Sequence, residues 1–113
     1  DLVALKFACM VNGVTQLIMT KADVLDAFEQ LQVCTSYEIN GETINEVPYQ
    51  MLKNDITPVL KSFKGWNTDI TKISGANQMP AEMKEYVNYI NNYLNVNITY
   101  ISNGPGREQL VKI

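Results

Sequence analysis

The chain has 113 residues, 46% of them hydrophobic and 19% charged, and its 9 Lys and Arg against 12 Asp and Glu leave a net charge of −3. That is one domain's worth of sequence, too apolar for wholesale disorder and too acidic for the positive footprint that gripping nucleic acid requires. No run approaches the roughly 20 apolar residues that span a membrane, and histidine is absent, which removes the commonest general acid–base and transition-metal ligand.

Leu2 to Val11 is apolar apart from Lys6 and reads as a helix covered on most sides, ended by Asn12-Gly13. A small domain rarely surrounds its own first helix, so the expectation is a segment of a larger protein. Val14–Met19 is a short apolar run predicted as a buried strand. A brief helix is predicted after it, because Val24, Leu25, Phe28 and Leu31 recur at helical spacing. Gln32–Ile39 and Glu42–Val47 flank Asn40-Gly41, the signature of a hairpin with a type I′ turn. Ile56–Phe63 is a further strand, near an edge because Pro58 has no amide donor. A polar loop follows from Gly65-Trp66 to Met79. Pro80 then starts an amphipathic helix with Met83, Val87, Ile90 and Leu94 on one stripe. Val96–Ser102 reads as a strand running into Asn103-Gly104-Pro105-Gly106, and Gln109–Ile113 can pair again. The mixture is α/β.

Chemistry has few places to reside. Cys9 and Cys34, in apolar surroundings, make neither a disulfide framework nor a zinc site. The Asn97-Ile98-Thr99 sequon falls in a predicted strand, and Tyr86, Tyr89 and Tyr93 border an apolar stripe as half-covered core residues do. No G-x-x-x-x-G-K-[ST] loop is present to cradle phosphates. Two stretches remain, each at the end of a predicted strand, where α/β sheets bind ligands.

The first is Thr20-Lys21-Ala22-Asp23. If the backbone is still extended there, Lys21 and Asp23 project to one side. A carboxylate at Asp23 can accept from the N1–H and N2 amine of guanine, whereas adenine has no proton on N1. The Lys21 stem can lie along the base while its ammonium stays in water. The alternative is a helix cap, since Thr20-x-x-Asp23 is close to a capping box and Asp23 is suited to an N-terminus. The second stretch is Ser102-Asn103-Gly104-Pro105-Gly106, whose glycines allow backbone amides close to a ligand and whose proline offers an apolar face. An ordinary turn is its alternative.

Together these residues resemble a known family. Gly13-Val-Thr-Gln-Leu-Ile-Met-Thr-Lys21-Ala-Asp23-Val-Leu25 is similar to the G-x-x-x-L-x-x-T-K-x-D-V-L stretch of adenylosuccinate synthetases. Val33-Cys34-Thr35-Ser36-Tyr37, Phe63-Lys64-Gly65-Trp66, Met79-Pro80 and Ile101-Ser102-Asn103-Gly104-Pro105-Gly106-Arg107-Glu108 follow in the family's order.

The resemblance runs the length of the chain and implies residues 1–113 as the C-terminal portion of a P-loop-NTPase-like mixed-sheet enzyme. It further implies a cytoplasmic homodimer in AMP biosynthesis that joins IMP and L-aspartate, using GTP and Mg2+. GTP phosphorylates the 6-oxygen of IMP, and the aspartate amine displaces the phosphate. The family's phosphate loop, catalytic Asp and His, magnesium ligands and aspartate loop would lie upstream, so this segment alone is expected to be inactive. Carried over are Lys21 and Asp23, matching the family's T-K-x-D base reader, and Ser102, Asn103, Gly104 and Pro105, matching its S-x-G-P loop. Gly106 stands where the family commonly has Asp, which is expected to loosen the loop, and Ala22 replaces a commoner Leu. The competing expectation is a stand-alone binding or scaffold module without catalysis.

Overall fold

A computed structural model describes residues 1–49 and 55–113. Helix α1 covers Leu2–Asn12, with the Asp1 carboxylate accepting from the Ala4 amide at 3.0 Å and Gly13 closing the helix at φ 61°. Strand β1 is Gln16–Met19, and a 3-10 turn occupies Ala22–Leu25. Strands β2 (Gln30–Ile39) and β3 (Glu42–Ile44) form the hairpin, with Asn40 at φ 53° and Gly41 at φ 83°. Two consecutive positive φ angles are what a type I′ turn demands. Strand β4 is Ile56–Lys64, helix α2 is Ala81–Leu94, and strands β5 (Asn97–Ser102) and β6 (Leu110–Lys112) finish the chain.

Two sheets result. One has the order β1-β5-β6, with β1 parallel to β5 and β6 antiparallel to β5. The other is antiparallel, in the order β3-β2-β4. Pro58 lies in β4, at the edge of that sheet, where a missing amide costs least. Helix α2 buries Met83, Val87, Ile90 and Leu94, the four residues of the predicted stripe. They join Ile98 and Ile101 of β5, Leu31 and Val33 of β2, and Phe63, Trp66 and Ile70 in one core. Burying each of the larger side chains contributes about 1.5–3 kcal/mol. A smaller cluster of Val3, Cys34 and Tyr37 joins α1 to β2.

Three expectations are corrected. The run Val14–Met19 is not buried throughout: β1 begins at Gln16, alternates in exposure, and leaves Ile18 54% exposed. Within the described residues it pairs only with β5, so one of its edges is open. The helix expected after it is a single 3-10 turn, because Leu31 belongs to β2 and faces the core together with Val33 at strand period. Val24 and Phe28, which shared the apparent helical stripe, are exposed. Helix α1 is covered on one face only: Leu2, Val3 and Cys9 are buried, while Phe7, Met10 and Val11 face outward.

Candidate functional site

Parallel pairing of β1 with β5 sets Met19 opposite Ile101. The chain therefore leaves both strands at the same end of the sheet, into Thr20-Lys21-Ala22-Asp23 from β1 and Ser102-Asn103-Gly104-Pro105 from β5. Adjacent strands lie about 4.8 Å apart, so the two sequence-predicted stretches are neighbours although some 80 residues separate them. Ala22 and Ile101, both fully buried, belong to the same core beneath them.

The backbone at the first stretch is not extended. Lys21 sits at φ 57°, ψ 38°, in the left-handed region, and Asp23 lies inside the 3-10 turn. Four non-glycine residues among those described have positive φ; three are Asn, which tolerates it, and the fourth is Lys21. A left-handed lysine costs about 1–2 kcal/mol, and such residues concentrate at functional turns. The capping alternative fails as well. The turn has no side-chain cap, and the Asp23 carboxylate accepts no hydrogen bond among the described residues. Lys21 is exposed and Asp23 half-buried, so both reach solvent.

In the second stretch, the Ser102 hydroxyl donates to the Gly104 carbonyl at 3.1 Å. Pro105 is exposed and Gly104 half-buried. Asn103 departs from expectation: it is fully buried, with its Nδ2 donating to the carbonyls of Ile70 at 2.6 Å and Ile73 at 3.1 Å. Its side chain therefore faces the Ile70–Ile73 segment. Its Oδ1 is buried without a partner among the described residues.

Gln109, which the sequence did not single out, closes the loop. Its Oε1 accepts from the Gly106 amide at 2.8 Å, and its backbone N–H donates to the Gly106 carbonyl at 3.0 Å. Its carbonyl accepts from the Asn103 amide at 3.0 Å. These bonds hold the loop across Gly106, the position expected to loosen it.

Asp26 was also missed. One carboxylate oxygen accepts from Trp66 Nε1 at 2.6 Å and the other from the Ile70 amide at 3.0 Å. The partners lie 40 and 44 residues along the chain, and no local pattern announces them.

Fold and site together define an α/β protein with two loops meeting at the carboxyl end of adjacent parallel strands, where such sheets bind ligands. Comparison with known proteins narrows the class. The family model described as adenylosuccinate synthetase matches residues 1–111. Curated adenylosuccinate synthetases from Flavobacterium johnsoniae and Cytophaga hutchinsonii are 49% and 50% identical to it, over 98% and 99% of this chain. A solved structure of a fully ligated adenylosuccinate synthetase from Plasmodium falciparum superimposes with a TM-score of 0.93 at 26% identity, covering 100% of this chain and 28% of that one. The chain belongs to the adenylosuccinate synthetase family. It spans 26% of the length of those two curated relatives.

Proposed function

We propose that this chain is the guanine-reading, C-terminal part of an adenylosuccinate synthetase, the GTP-dependent ligase that joins IMP and L-aspartate. The observation that carries the reading is the side-by-side exit of the T-K-x-D turn and the S-x-G-P loop from β1 and β5. The Asp23 carboxylate accepts from N1–H and the N2 amine of the base. The Lys21 stem covers one face of the ring, and Ser102, Gly104 and Pro105 close the other side. Charge-assisted bonds of this kind are worth about 1.5–3 kcal/mol each, enough to choose guanine over adenine.

Magnesium, IMP, aspartate and the phosphates of GTP are held by the remainder of the enzyme, so these 113 residues alone turn nothing over. The assembled enzyme is a cytoplasmic homodimer.

The test is Asp23→Asn in the complete synthetase. An amide replaces one acceptor with a donor that faces the N–H edge of guanine but matches the 2-oxo group of xanthine. GTP is expected to weaken by about 1–3 kcal/mol while XTP improves. Unchanged nucleotide preference overturns the assignment.

A further inference from the structure

The two halves of the proposed site are joined by more than the sheet. β1 and β5 pair over only four residues of β1, with a register shift between Leu17 and Ile18, and the ladder ends at Met19 and Ile101. The functional residues all lie beyond it, where no strand pairing holds one loop against the other.

A third segment spans the gap. The residue Ile70, itself fully buried, donates its amide to Asp26 Oδ2 at 3.0 Å and accepts Asn103 Nδ2 on its carbonyl at 2.6 Å. Asp26 lies in the chain just after the turn that carries Lys21 and Asp23; Asn103 lies within the loop that carries Ser102, Gly104 and Pro105. The bridge is braced at both ends. Trp66 Nε1 donates to the other oxygen of Asp26 at 2.6 Å, and Ile73 offers Asn103 a second carbonyl at 3.1 Å.

We infer that Asp26 and Asn103 are positioning residues for guanine recognition: acting through the single backbone unit of Ile70, they fix the spacing between the T-K-x-D turn and the S-x-G-P loop. The inference rests on the guanine-reading function proposed above. An ionised carboxylate suits the first post, since it accepts one N–H on each oxygen. An amide suits the second, since two carbonyls need two donors and a carboxylate offers none. Those donors are kept in place although Asn103 Oδ1 is left buried without a partner among the described residues. Recognition by paired hydrogen bonds tolerates only about 0.5 Å of drift in the groups that make them, and the bridge adds directional hydrogen bonds to the apolar packing of Ala22 and Ile101 beneath the two loops.

The experiment compares Asp26→Asn, Asn103→Ala and their double variant in the complete synthetase, with Ile70→Val and Asp23→Asn alongside. Each single positioning variant is expected to raise KM for GTP about tenfold, a displacement effect. kcat at saturating GTP, and KM for IMP and aspartate, stay near parental values. Preference for GTP over ITP, which lacks the N2 amine, falls in parallel. The double variant raises KM for GTP by less than the product of the two, because both act through the backbone of one residue. Ile70→Val trims the buried side chain but keeps the bridging N–H and C=O; it lowers the melting temperature and leaves KM for GTP unchanged.

Falling thermal stability with unaltered KM for GTP in both singles overturns the bridge, as do multiplicative effects in the double variant. If Asp23→Asn still alters nucleotide preference in that case, the guanine reading survives without the bridge; if it does not, both fall. Should Asn103→Ala fail to fold, Asp26→Asn, which keeps shape and one acceptor, decides by the same KM and ITP measurements.

Discussion

Gly65→Ala sets two effects of opposite sign against each other, and the structure says which wins. Gly65 does not have a positive φ, so alanine can adopt its backbone conformation. Conformational entropy alone then predicts stabilisation by about 0.4–1 kcal/mol through the unfolded chain. Sterics predict the reverse. A Cβ at Gly65 would lie 1.8 Å from the Phe28 carbonyl oxygen and 2.8 Å from its carbon, against a floor near 3.0 Å for real contacts.

Both offending atoms are backbone, so no rotamer change relieves them, and the two segments must part by about 1.2 Å. The Gly65 amide donates to the Glu29 carbonyl at 2.8 Å, and parting by that distance breaks the bond. Leaving the amide of the buried Gly65 unpaired costs about 1–3 kcal/mol. Trp66 is displaced with its neighbour and strains its bond to Asp26. The expected net loss is about 3 kcal/mol, or roughly 10 °C or more in melting temperature for a chain of this size.

Urea and thermal unfolding followed by circular dichroism measure it. Gly75→Ala is the control: it has an extended backbone at φ −163°, and a Cβ there meets only the Asn77 side chain, at 3.1 Å. It should stay within about 1 kcal/mol of the parent. A Gly65→Ala chain that melts at or above the parent refutes the close-approach argument.

The alkaline limb of stability should be steep. Burial raises the phenol pKa of Tyr37, Tyr86 and Tyr93 above the ordinary value, and the hydrogen bond to Glu82 raises that of Lys64. The folded state then holds these protons more tightly than the unfolded chain, so their contribution is complete below about pH 10 and is lost as pH rises through the folded-state values. Urea midpoints measured from about pH 9 to about pH 12 should fall, and fall less in Tyr86→Phe; a flat profile contradicts the shifts. The exposed Phe7, Met10 and Val11 of α1 predict that the chain by itself self-associates. Sedimentation velocity should show concentration-dependent species that Phe7→Lys suppresses, and a clean monomer at about 1 mM would contradict this.

Much of the architecture was legible because its signals are local. The α2 stripe rests on helical period alone, the hairpin on Asn40-Gly41, and the edge position of β4 on Pro58. The segment from Thr20 to Leu31 misled because Val24, Leu25, Phe28 and Leu31 imitate a helical face. What decides there is tertiary: Leu31 and Val33 gain more by facing the core from a strand than Leu31 gains from a helix of marginal length. The left-handed Lys21 has no glycine or asparagine to announce it. For the candidate site, the residue types were legible but their scaffold was not, since Asp26–Ile70 and Asn103–Ile70 join residues 44 and 33 positions apart. Asn103, named from the loop sequence, turns its side chain to the Ile70 and Ile73 carbonyls.

The division of labour proposed for the enzyme makes a quantitative demand on this chain in isolation. Two charge-assisted bonds to the base supply about 3–6 kcal/mol gross, while association costs at least about 4 kcal/mol in lost translation and rotation. A dissociation constant of 1 mM corresponds to about −4.1 kcal/mol, so the separate chain should not bind GTP tighter than about the millimolar range. The triphosphate brings no compensation, because the chain has no phosphate loop and carries a net charge of −3. GTP and guanosine should therefore bind it equally weakly, whereas the proposed complete synthetase should prefer GTP by orders of magnitude. Ligand-observed NMR titrations of the isolated chain compare the two directly. Micromolar affinity for GTP, or a preference of about tenfold over guanosine, would mean that this segment handles phosphate as well as base, and the assignment of its loops to the purine ring alone would be wrong.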